Sequence, residues 1–91
     1  MNVIDTTAKE LNITSDELIR EGVKTYLEKL LAKVETEIFI LAKKHGVKDV
    51  FELDSRVKEG FISEKDGYDD YFAFDNLEAD RDKIKKLLKE L

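Results

Sequence analysis

The sequence predicts an all-α protein with no sheet. Three observations carry that expectation. Apolar residues recur at steps of three and four across 15–45 and across 68–91, the period of amphipathic helices and not of strands. Proline is absent and only four glycines, Gly22, Gly46, Gly60 and Gly67, punctuate the chain. Capping residues, Thr14 and Asp49, stand directly before two of the helical runs.

Each element follows in order. Over residues 3–11, Val3, Ile4, Ala8 and Leu11 share one helical face, which predicts a short N-terminal helix that breaks at Asn12 and Ile13. Thr14 with Glu17 fits a capping box, and Asp16 and Glu17 complement the positive end of the helix that follows. From Ser15 to His45 the pattern is uninterrupted, through Leu18, Ile19, Val23, Tyr26, Leu27, Leu30, Leu31, Val34, Ile38, Leu41 and Ala42. Gly22 weakens this run by roughly 1 kcal/mol against Ala, or serves to let another helix approach. Lys43, Lys44 and His45 suit the negative helix end, and Gly46 with Val47 reads as a C-terminal cap. The helix would be roughly 45 Å long. Asp49 caps a short helix, 50–59, with Val50, Phe51, Leu53 and Val57 expected to point inward and Gly60 to end it. Phe61, Ile62, Ser63 and Gly67 are expected in a connection. The last helix then runs over 68–91, and its Leu77, Ile84 and Leu91 lie seven apart as a nearly heptad seam. The chain reads as one domain: dimerisation helices over 1–45, a connector over 46–67 and a partner-binding helix over 68–91.

Composition narrows the function. No Cys excludes disulfides, thiolate metal sites and Cys nucleophiles, and a single His excludes multi-His metal sites. The net charge of −5 argues against broad nucleic-acid binding, which rests on Lys and Arg meeting phosphates. No apolar run is long enough for a membrane span and MNVIDTTAKE lacks the regions of a signal peptide, so a cytoplasmic protein with no membrane partner is expected. The Lys- and Glu-rich balance, with no Cys or Gln, is of a thermophilic kind. No phosphate loop, nucleophile elbow or EF-hand spacing is present, and Asp80 and Asp82 diverge on a helix; no enzyme activity, metal or cofactor is expected. His45, beside Lys43 and Lys44, reads as a surface residue favoured by the helix dipole.

The distinctive stretch is 66–82, DGYDDYFAFDNLEADRD. Residues 63–82 carry eight acids against Lys65 and Arg81. Acids at a helix start suit the dipole, and aromatics there can simply be core. A band of carboxylates around large aromatics is also what docks on a basic groove, because aromatics anchor interfaces and acids steer a positive partner. Tyr68, Asp69, Asp70, Tyr71, Phe72, Phe74 and Asp75 are the candidate partner-binding residues. On length grounds the long helix carries more apolar stripe than the other elements can cover. Val23, Tyr26, Leu27, Leu30, Leu31, Val34, Ile38 and Leu41 are therefore the candidate interface of a homodimer or other homo-oligomer.

Residues 11–29 resemble the turn and second helix of ribbon-helix-helix proteins, through Leu18, Ile19, Arg20, Glu21, Val23, Tyr26 and Leu27. That family includes many bacterial and archaeal antitoxins. The resemblance implies that this helix forms a dimer core and that a separate C-terminal segment binds a toxin. The family reads DNA with an N-terminal strand, whereas VIDTTAKE is not an alternating basic strand. The stretch DYFAFDNLE likewise resembles small archaeal proteins of antitoxin type. The combined expectation is a non-enzymatic interaction module that neutralises a basic protein such as a toxin RNase. A ribbon-helix-helix-type DNA-binding repressor and a self-associating structural helical protein are the alternatives.

Overall fold

The computed structural model describes residues 2–91. Among them are four helices and no strand: α1 Val3–Glu10, α2 Ser15–His45, α3 Val50–Lys58 and α4 Glu64–Lys89. The all-α expectation and the two long helices joined by a short one are as the periodicity predicts.

Local chemistry sets the boundaries. The Thr14 hydroxyl accepts from the Glu17 N–H at 3.0 Å, the Asp49 carboxylate from Glu52 N–H at 2.8 Å, and Asn2 caps α1 through Asp5 N–H at 2.9 Å. Three helices end alike, on a residue in the left-handed region: Asn12, Gly46 and Gly60, at φ of 58°, 64° and 84°. After each, the next N–H reaches back five residues, Ile13 to Ala8, Val47 to Ala42 and Phe61 to Arg56, so carbonyls left over at the helix end are paired.

One boundary differs from the sequence expectation. α4 begins at Glu64, not at Tyr68, and Ser63 is its cap, accepting from the Asp66 N–H at 3.3 Å. Gly67 is inside the helix and buried. Its role is spatial: a Cβ there would collide with the Val57 side chain of α3, so the glycine admits close approach of the two helices. Phe51 also departs from expectation. It is exposed, while Val50, Leu53 and Val57 form the inward face of α3.

α4 folds back antiparallel along α2. Near one end of the pair Asp70 meets Lys44 and His45; towards the other Ile84 packs with Leu27 and Val34. Two apolar clusters result. Val47, Val50, Leu53, Val57 and Phe74 join α2, α3 and α4. Leu27, Val34 and Ile84 join α2 and α4 further along, and Ile38 packs against both clusters. α1 lies against the start of α2, where Ala8 is buried and Ser15 Oγ donates to Asp5 Oδ1 at 2.6 Å. The result is a rod of 61 × 19 × 17 Å. Its radius of gyration is 19.2 Å, against about 12 Å for a compact chain of this length.

Phe74 and Leu53 are the largest fully buried side chains. Phe74→Ala is expected to cost about 3–5 kcal/mol in urea denaturation, against about 0.5 kcal/mol or less for the nearby exposed Phe72→Ala. Gly67→Ala should cost about 1–3 kcal/mol although it improves helix propensity, because Val57 has to move.

Candidate functional site

The period of α4 divides the aromatic-acidic band into two faces. Phe74 is fully buried and Tyr71 packs half-buried against the same cluster, so both serve the core in this fold. Asp70 also turns inward, with its side chain 18% exposed. The opposite face carries Tyr68 and Phe72, one turn apart and 44% and 65% exposed, with the exposed acids Asp69 and Asp75 beside them. The Phe72 ring meets Tyr71 edge to face, with centroids 5.6 Å apart. That contact anchors an exposed ring to a half-buried one and restricts its rotamers.

The inward half does its own work. Asp70 Oδ2 lies 2.7 Å from Lys44 Nζ and 2.7 Å from His45 Nε2. The His45 side chain is only 6% exposed, so it is not the surface residue that its lysine neighbours suggested. It closes the end of α2 against α4. Hydrogen bonds from Lys44 and then from His45 hold the Asp70 carboxyl below its ordinary value of 3.8. An ionised Asp70 is an acceptor only, so the His45 Nε2 carries the proton it donates. Lys44 is pushed up by the same hydrogen bond, but its ammonium is largely in water. Nothing in the sequence marks this cluster, because the partners lie 25 residues apart and meet only once α4 turns back.

Glu78, half-buried on α4, shows the opposite behaviour. Burial raises its pKa above 4.5, while the Val50 backbone N–H at the start of α3 pulls it down in part. Among the described residues no group of three or more His, Cys, Asp or Glu is placed to hold a metal ion. Among the described residues no helix is long and apolar enough to cross a membrane.

The expected dimer stripe is also divided. Leu27 and Val34 are buried against α4, and Leu30, Leu31, Ile38 and Leu41 are half-buried in the chain's own clusters. Val23 and Tyr26 remain exposed. The segment before Leu11, where the ribbon-helix-helix resemblance implies a strand, is helical.

The pH dependence follows from Asp70. Its folded pKa is lowered, so its contribution is present above 3.8 and is lost as pH falls through the folded value. Asp70→Asn should cost about 1–2 kcal/mol at pH 7 and shrink the loss of stability below about pH 4. For Glu78 the sign reverses: the raised pKa makes its ionisation unfavourable as pH climbs past 4.5, so Glu78→Gln should not weaken the protein at pH 7. Urea midpoints measured between pH 3 and 7 check both.

No curated protein and no solved structure matches the chain. A family match does exist, and it spans residues 1–91. With its whole length matched, the chain belongs to the Uncharacterized protein MJ0235 family.

Proposed function

We propose that this protein is a non-enzymatic interaction module of antitoxin type, which binds and neutralises a basic protein partner such as a toxin RNase. The observation that carries the reading is the outward face of α4. Two large aromatics, Tyr68 and Phe72, stand in solvent one turn apart, flanked by Asp69 and Asp75. Exposed aromatics are poorly hydrated, and a pre-positioned ring binds with less loss of freedom. The surrounding carboxylates attract cations, speed encounter with a basic groove and stand where RNA phosphates would lie. Asp70, Tyr71 and Phe74 position this face from inside. A helix over 3–10 disfavours the alternative of a DNA-reading N-terminal strand.

The test is co-expression with products of adjacent reading frames that arrest growth. Rescue and co-purification are the expected results. Tyr68→Ala with Phe72→Ala should abolish both while leaving the circular dichroism and thermal midpoint unchanged. Raised salt should slow association. The reading fails if no such product is silenced, or if the double variant still silences it.

A further inference from the structure

We propose that two copies of this chain associate antiparallel through the start of α2, crossing at Gly22. The face in question borders the one that α4 covers and meets it at Leu27 and Leu30. At 100° per residue, Ile19, Gly22, Val23, Tyr26 and Leu30 form a stripe roughly 90° around the helix from Leu27 and Val34. With Ile4 of α1 as one wall, Leu18, Ile19, Gly22, Val23, Tyr26 and the edge of Leu27 line an open, almost wholly apolar cleft of about 470 Å³. Ile19, Val23 and Tyr26 are all exposed. The groove continues past Tyr26 along Leu30, bordered by Lys29 and Lys33.

Gly22 is the odd residue in this surface. It lies in mid-helix, where glycine is unfavourable, and apart from its own stretch of helix nothing in the chain comes within 4 Å of where its Cβ would be. Gly67 is a glycine because α3 presses on it; Gly22 has no such neighbour inside its own chain. A helix of a second copy supplies one.

The charges favour a second copy over an unrelated occupant. One edge of the stripe carries Asp5 and Ser15, bonded at 2.6 Å, on one side of Gly22. The same edge carries Lys29 and Lys33 on the other side. Ser15 and Lys29 are equidistant from Gly22 in sequence. In an antiparallel pair about a twofold axis like edges meet, so the Asp5 end of each copy faces the lysines of the other. A parallel pair would turn this edge against the opposite edge of the other copy and leave these charges unmatched. This surface is separate from Tyr68 and Phe72 and does not depend on the role given to them.

Sedimentation equilibrium of the full chain should give twice the 10.5 kDa chain mass at micromolar concentration. Val23→Glu should halve that mass with helical content unchanged. Tyr26→Lys, at a still more exposed position, is a second variant with the same expected result. Orientation is read by oxidation, since the chain has no cysteine of its own. Gly22→Cys lies at the axis and should cross-link to itself. Tyr26→Cys should not, because two such positions lie about 12 Å apart in an antiparallel pair, beyond the roughly 7 Å that a disulfide spans. Chain mass throughout the concentration range would overturn the proposal. So would a dimer indifferent to Val23→Glu and Tyr26→Lys, or a Tyr26→Cys link as efficient as that of Gly22→Cys.

Discussion

The antiparallel return of α4 onto α2 is the contact on which everything else in this protein rests. α2 has 31 residues and is too long to bury its apolar side against a short element. Only α4, with 26 residues, runs far enough to cover it. Phe74, Leu53, Ile84, Leu27 and Val34 lose water because these two helices lie side by side with α3 wedged at one end. The rod is thin, so few side chains are fully enclosed, and each one carries a large share of the stability. This geometry also decides what is left outside. The faces of α2 and α4 that turn away from the seam, around Val23 and around Phe72, are the surfaces available for binding.

Much of this was legible in the residues. Periodicity and caps gave the helices, since capping and left-handed stops are local interactions between residues three to five apart. Thr14, Asp49, Asn12, Gly46 and Gly60 all act within such a window. The misreadings share a different cause. Gly67 looks like a breaker, and Phe51 looks like core, until α3 is placed against α4. His45 looks like a surface residue until Asp70 arrives beside it from 25 residues away. The aromatic band reads as one feature along the sequence, yet a helix turns 100° per residue and gives alternate members to core and solvent. Tertiary contacts are not local, so a single sequence holds little trace of them.

The electrostatic layout follows the same division. Acids gather over 63–82, and the helix dipole favours them at the start of α4. One of them, Asp70, is paired with the Lys44 ammonium, hydrogen-bonded by His45 and shielded. Asp69 and Asp75 stand exposed to water. The same type of side chain thus fastens the fold from one face of the helix and attracts cations from the other.

The clamp of His45 on Asp70 has a consequence for sliding. Leu77, Ile84 and Leu91 repeat every seven residues, and the clusters that join α2 to α4 along the seam are apolar. Grease alone tolerates α4 slipping along α2 by one such repeat, because one leucine fits much as another does. Two details forbid the slip. It would pull the carboxylate about 10 Å from the imidazole, and it would carry Gly67 away from Val57, a slip in one direction bringing the bulky Phe74 to its place. A single hydrogen-bonded carboxylate and a single missing methyl therefore act as the notches that give an otherwise repetitive rod one alignment.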